Sequence, residues 1–462
     1  MTSAVRWIAN TRFGLQPARR LHVLFSVRRP QVVMLGLAAL ACTPPPARAP
    51  TSMPKADAPK PPGTLYQDTA LHDYVEARAA CLTREAGVDP MLFVLDEATV
   101  GAWALPGNGI AVTRGLLVFL RSEAELEAVL AHEVAHLELG HAKDLEDEEE
   151  DNAPSSVFEL PGLVVDAARE AAHSRADERA ADQRSIELLE RCGRTALATG
   201  ELFAALEPLE DDEGRTFFAS HPATKERRHA ALARVGPTRP DPGRVAYLQA
   251  IDGMLLGEDA REGYVQDRAF VVPRRNVLAQ LPYGWTTEVS DGVLLLEQPE
   301  FGGLVIFAPI DVDDPAGVIP GFVEDAEVEH TGVETTDVSG LTVTSTTFSY
   351  GDKAAILACL YRDGIALLVF AVGNPDTWEP FAQSVTMLMT GIGSIEDPAQ
   401  RAVEPLRVHA LELQRAATLA EVAERDDCDL NASDLARLNG VSEGARLPAG
   451  TVVKIGRGFS TR

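Results

Sequence analysis

The chain has 462 residues, 45% hydrophobic and 24% charged, with 69 acidic side chains against 42 basic ones and a formal net charge of −27. That much apolar content excludes a disordered chain and allows about three domains at roughly 150 residues each. A surface so negative repels nucleic acid and anionic lipid, which removes both as partners.

Residues 1–41 hold six Arg and no acid, and Arg28 and Arg29 precede an apolar run, Val32 to Ala41, that is too short to cross a bilayer. The run reads as the core of a signal peptide spanning 1–41. Ala39-Leu40-Ala41-Cys42 fits two cleavage readings, a relaxed lipobox with Cys42 as the lipidated residue or an A-x-A site for plain secretion. The first is preferred because a Cys directly follows the small-residue site. Either way the chain is expected to be exported to the periplasm, and in the first reading a lipid anchor is its sole membrane attachment. Residues 42–63 are Pro- and Ala-rich without periodicity, a tether composition.

A helical pattern follows from Leu65 to Gly87, then a short strand from Met91 to Leu95, a turn over Ala102 to Gly109 and a second strand from Ile110 to Thr113. Ser122 with Glu125 three residues later is a capping box, and it opens an apolar-periodic helix. At about 100° per residue, Leu126, Leu130, Val134 and Leu137 form one stripe, with Val129, His132 and His136 beside it. Only 10 residues are His, so His132-Glu133-x-x-His136 is not a pattern that turns up freely, the rival reading being an ordinary amphipathic helix with surface His and Glu. Residues i and i+4 share a helix face, which lets both imidazoles reach one Zn²⁺ with Glu133 placed as a general base. His141 falls on the Leu stripe, so it reads as a packed histidine or one that supports a ligand. It could be a ligand itself only if the helix broke at Gly140.

The stretch ALPGNGIAVTRGLL followed by HEVAH resembles the gluzincin metallopeptidases, which include the CAAX prenyl endopeptidases, HtpX and the BepA-like periplasmic proteases. This chain departs from the family pattern in having Gly101 where Asn is usual and Asn108 where Gly is usual. The resemblance implies that Ile110, Ala111 and Val112 form the edge on which a peptide lies extended. It also implies a third ligand in Ser174-Arg175-Ala176-Asp177-Glu178-Arg179-Ala180-Ala181-Asp182. There Glu178 completes a His132, His136, Glu178 set for one Zn²⁺ per chain, and Asp182 orients a ligand imidazole. Ser220-His221-Pro222 with Arg227 is similar to the family's His-Pro motif, which implies an active-site role for His221 with Arg227 in support. Taken alone, His221 reads as a capping or loop histidine.

Residues 144–151, DLEDEEED, read as a solvated acidic run. Residues 156–172 read equally as a lid or as packed core. Besides Cys42, the four cysteines Cys81, Cys192, Cys359 and Cys428 allow three pairings, and the sequence does not choose.

Beyond Gly257 the pattern becomes β-rich, with runs at Val293 to Leu296, Leu304 to Phe307, Leu341 to Phe348, Ala355 to Leu360 and Ala366 to Val372, then a helix from Trp378 to Thr390. This predicts an antiparallel sheet with a covering helix, faintly similar to the PsbP and Mog-type folds through Leu281-Pro282-Tyr283-Gly284-Trp285. Arg407 to Gly456 resembles a LysM module through Thr418-Leu419, Leu435 to Gly440 and Leu447 to Ile455, which implies either peptidoglycan as a partner or a degenerate module used only for packing.

The expected architecture is multidomain α+β. A mostly helical zincin-type peptidase domain spans 64–257, an antiparallel α+β domain 264–396 and a small LysM-like module 405–457. The expected function is a zinc endopeptidase acting on polypeptides of the bacterial envelope, misfolded or unassembled. The alternative is a non-proteolytic assembly or holding factor, or a peptidoglycan-binding protein, with a structural zinc.

Overall fold

A computed structural model describes residues 61–142, 174–195 and 243–459, together with residues 59, 199, 200 and 202, and leaves aside 291, 327, 328, 339, 363 and 426. The expected signal peptide, Cys42, the acidic run, the segment 156–172, His221 and Arg227 lie outside the described residues.

Helix α1 (Thr69–Ala86) starts where Asp68 accepts the amide of Leu71, and it buries Leu71, Val75, Ala79 and Leu82 along one face. It leads into β1 (Met91–Leu95), β2 (Ala102–Leu105), β3 (Gly109–Thr113), α2 (Arg114–Phe119) and α3 (Glu123–Leu139). After the intervening chain come α4 (Arg175–Arg191) and α5 (Arg244–Ala250). The expected turn at 102–109 is therefore a strand followed by a three-residue turn. In that turn Gly107 and Asn108 take φ of 74° and 71°, and the Asn108 amide donates to the carbonyl of Asp89 at 2.7 Å. Asn is one of the few residues that tolerates this left-handed conformation, so it can stand where a Gly would.

The strands pair in the order β1-β3-β2, parallel between β1 and β3 and antiparallel between β2 and β3. This corrects the expectation for Ile110, Ala111 and Val112. They lie in the middle of the sheet, opposite Leu92, Phe93 and Val94 on one side and Ala104, Trp103 and Ala102 on the other. Among the described residues the outer strands are β1 and β2, and β2 is the one that lies against α3.

The next region builds two sheets from β4 (Tyr264–Gln266), β5 (Ala269–Val272), β6 (Val277–Gln280), β7 (Thr286–Ser290), β8 (Val293–Gln298), β9 (Gly303–Pro309), helix α6 (Val318–Ala326), β10 (Glu334–Val338), β11 (Leu341–Tyr350), β12 (Lys353–Arg362), β13 (Ile365–Gly373), helix α7 (Trp378–Thr390) and β14 (Ile392–Gly393). Seven strands form one antiparallel sheet in the order β10-β11-β12-β13-β9-β8-β7, and β14-β6-β5-β4 form a second. Helix α7 covers one face of the large sheet through Phe381, Val385 and Leu388, and α6 covers part of the other through Ile319 and Phe322. Alternate residues of β13 feed the two cores, Leu367 and Val369 one way, Leu368 and Phe370 the other.

The chain ends with β15 (Arg407–Glu412), α8 (Leu419–Ala423), α9 (Ala432–Asn439) and β16 (Val452–Arg457), with β15 antiparallel to β16. These residues do not form a core of their own. Leu419, Leu435, Val453 and Ile455 belong to the same buried cluster as Leu71, Ile110, Leu126 and Leu188. The whole is a multidomain α+β protein, and no helix among the described residues is long and apolar enough to cross a membrane.

Candidate metal centre

Helix α3 begins at Ser122, whose hydroxyl accepts the amide of Glu125. Only half of the expected capping box forms, because the Glu125 carboxylate turns to the backbone and guanidinium of Arg121. From Glu125 to His136 every residue of the helix is buried, His132, Glu133 and His136 included. At Gly140 the backbone becomes left-handed, φ 81°, and the chain folds back so that His141 reaches His136. The helix does end where a third histidine ligand would have required it. His141 nevertheless meets the Nδ1 of His136 at 2.8 Å, on the ring's far side from His132.

Helix α4 starts with a complete capping box, Ser174 and Asp177, and this places Glu178 one turn in, fully buried against α3. His132 Nε2 and His136 Nε2 stand 3.1 Å apart, and the Glu178 carboxylate lies 3.5 Å from the first and 3.4 Å from the second. With ligand bonds of about 2.0–2.2 Å, the atoms of a tetrahedral zinc site stand about 3.3–3.6 Å apart. The observed triangle lies at or close to those edges, so two imidazoles and one carboxylate converge on one point. This His₂Glu donor set is that of a catalytic zinc site and leaves a fourth position for water or substrate. Zinc is the ion that the geometry and ligand types fit.

Both imidazoles are held from behind. Asp182, one turn beyond Glu178, places a carboxylate oxygen 3.3 Å from His132 Nδ1. His136 is held by His141, whose Nε2 in turn faces Asp177 at 3.7 Å. Burial lowers the pKa of His132, but its hydrogen bonds to Asp182 and Glu178 outweigh this and push it up to about 10.

Several residues that fix the centre were missed in the sequence. Arg184 grips Glu138 with two parallel hydrogen bonds of 2.7 and 2.9 Å and so ties α4 to α3 just beyond the ligands. Cys192, at the C-terminal end of α4, is bonded to Cys81 of α1, whereas Cys359 and Cys428 are free and buried. Neither pairing has a local signal, since both depend on how helices pack. The departure at position 101 has a physical counterpart as well. The Trp103 ring lies 2.5 Å from where a Cβ on Gly101 would stand, so Trp103 fills the space that an Asn side chain would need.

A buried His₂Glu triangle on two helices, with a Glu between the histidines, defines a gluzincin-type metallopeptidase centre. Residues 66–149, which hold His132, Glu133 and His136, match the family described as peptidase family M48. The chain is 27% identical over 164 residues to a "Putative beta-barrel assembly-enhancing protease" of Vibrio cholerae serotype O1, covering 31% of this chain and 34% of that protein. It is 29% identical over 149 residues to "Metalloprotease YcaL" of Escherichia coli, covering 29% and 58%. It is 28% identical over 179 residues to "Mitochondrial metalloendopeptidase OMA1" of Schizosaccharomyces pombe, covering 36% and 51%. The chain thus spans between a third and three fifths of the length of these relatives. Among solved structures, cyanobacterial PsbP from Synechocystis matches over 26% of this chain and 88% of its own at 12% identity, with a TM-score of 0.20 that carries no argument.

Proposed function

We propose that the chain is a zinc endopeptidase of the bacterial cell envelope. The observation that carries this reading is the buried convergence of His132, His136 and Glu178, with Glu133 on the same helix turn as the first histidine. A purely structural zinc would have no use for that Glu.

The residues divide the work as follows. His132, His136 and Glu178 would hold the zinc, which when bound would polarise the scissile carbonyl and lower the pKa of the attacking water. Glu133 takes the proton from that water and delivers it to the leaving amine. Asp182 and His141 hold the two imidazoles in the orientation that turns Nε2 inward. A peptide laid in extended form along the outer side of β2 would run beside α3, and it is there rather than on β3 that we place the substrate backbone. His221, with Arg227 in support, is proposed to approach the reacting carbonyl.

The remaining assignments belong to the same proposal. Residues 1–41 are a signal peptide, Cys42 is the lipidated residue and 42–63 a tether, which sets the folded body in the periplasm. The Cys81–Cys192 bond supports an oxidising compartment. Residues 64–257 form the zincin-type peptidase domain, 264–396 an α+β domain and 405–457 a LysM-like module that contacts peptidoglycan. In the same proposal the substrates are misfolded or unassembled envelope proteins, and the name of the Vibrio relative, a putative beta-barrel assembly-enhancing protease, supports a role in protein assembly.

The test is zinc content and casein hydrolysis for the chain from residue 43 onward, beside Glu133→Gln. About one zinc per chain in both proteins, with hydrolysis confined to the unsubstituted one, is the expected result. Zinc without hydrolysis in either would transfer support to a holding or assembly role, and hydrolysis by the Glu133→Gln protein would overturn the mechanism.

A further inference from the structure

Lys454 is completely buried, the rarest fate for a lysine. It sits on β16, and among the described residues its ammonium bonds to main-chain carbonyls and forms no ion pair, Glu125 acting on it only from a distance. Its Nζ donates to the carbonyls of Val118, Phe119 and Leu120 at 2.7, 3.0 and 3.0 Å. Those carbonyls are the last two of α2, the short helix that joins the central strand β3 to the zinc helix α3, and that of its C-cap residue Leu120.

A helix of six residues leaves its final carbonyls without partners inside the helix. Here the junction is buried, Leu117 and Leu120 being fully enclosed, so water cannot supply the missing donors. Donors come instead from distant parts of the chain. The Tyr247 hydroxyl serves Leu117, Lys454 serves the next three residues and Arg244 Nη1 serves Arg121 at 3.0 Å. Arg244 also reaches the carbonyl of Val452, two residues before the lysine. A cation at a helix C-terminus is favoured by the helix dipole as well.

Three independent contacts lock the lysine and its module in place. Asn439 on α9 holds both the amide and the carbonyl of Lys454, at 2.8 and 2.9 Å. Residues 253–256, which follow α5, pair with β15 through Gly253 to Val408, Val408 to Met254 and Leu256 to Leu406. Gly440, just past α9, sits so close to Arg121 that a Cβ would fall 2.1 Å from Nη1.

We propose that the C-terminal module is a fixed part of the metal-centre domain, and that Lys454 is a positioning residue that sets the start of the zinc helix by capping α2 from the far end of the chain. The proposal rests on the peptidase reading only for its catalytic consequence. Its structural content can be tested whether or not the protein is a protease.

Two measurements on the exported full chain decide it. The first compares Lys454→Met with Arg446→Met, an exposed position of the same module, by amide hydrogen exchange. Exchange at residues 116–126 is expected to quicken at least tenfold in Lys454→Met and to stay unchanged in Arg446→Met. Where hydrolysis is present, kcat should fall about tenfold at constant KM with zinc retained. Faster exchange confined to residues 405–459 would overturn the proposal. The second measurement needs no weakened variant. A protease site is inserted between Ala399 and Gln400, the purified protein is cut, and the product is run on size exclusion without denaturant. The C-terminal fragment is expected to elute with the body, and its separation would show a module that merely hangs from a linker.

Discussion

The metal-centre domain and the central β-rich region solve burial in opposite ways. Among the described residues, every buried charged side chain lies in the first, from Glu97 and Arg114 through Glu125, Glu127, Glu133 and Glu178 to Lys454. The central region buries Gln298 and a few Ser and Thr but no charge. A buried charge is costly unless partnered, so each one in the first region marks a position where geometry is specified by polar contacts. The central region is instead held by packing of side chains such as Phe381, which lies against Trp285 and Trp378. Chemistry therefore belongs to the first region, and the second can lose stability without touching it.

Glu133→Gln should bring the largest change, a fall in hydrolysis of about a thousandfold, with no shift in the unfolding midpoint of the central region. Phe381→Ala tests the other side. It should destabilise the central region by about 3–5 kcal/mol, seen in the fluorescence of Trp285 and Trp378 during a urea titration. Zinc content and hydrolysis should stay as they were, and loss of zinc in this variant would show that the regions are coupled.

His141→Ala should weaken zinc binding about 10–100-fold by chelator competition, the range found when a ligand's supporting partner is removed. An unchanged affinity would mean that His141 is only packed against His136. The smallest effect concerns Asp427, whose carboxyl is lowered to about 2 chiefly by its hydrogen bonds to Arg425, with Arg457 adding to the effect. A carboxyl lowered in the folded state stabilises above its ordinary value near 3.8, and that contribution is lost as pH falls towards 2. Asp427→Asn should slightly flatten the acid limb of the stability profile, and an unaltered limb would show that the pair is inert.

Much of this was legible where local pattern decides structure. The runs at 341–348, 355–360 and 366–372 fall within β11, β12 and β13, since β-branched and apolar residues there permit little else. His132 and His136 were legible because the i, i+4 spacing puts both on one helix face, and Glu178 was legible only through the resemblance of Ser174 to Asp182 to the family motif. Ala102 to Leu105 was misread because four residues between Gly101 and Pro106-Gly107 carry more turn signal than strand signal. The middle place of β3 could not be read at all, because strand order is set by packing across the sheet. Lys454 was hidden for a related reason. In Val453-Lys454-Ile455 a lysine reads as the solvent side of an alternating strand, and only the distant carbonyls of α2 show otherwise.

The Cys81–Cys192 bond spans 111 residues of chain, and that stretch holds all three zinc ligands. A cut anywhere between residues 143 and 173 would leave His132 and His136 on one fragment and Glu178 on the other, yet the two fragments would remain one molecule. Self-cleavage there would be silent on a gel run without reductant and visible once thiol is added. An apparently intact preparation can therefore already be in two pieces.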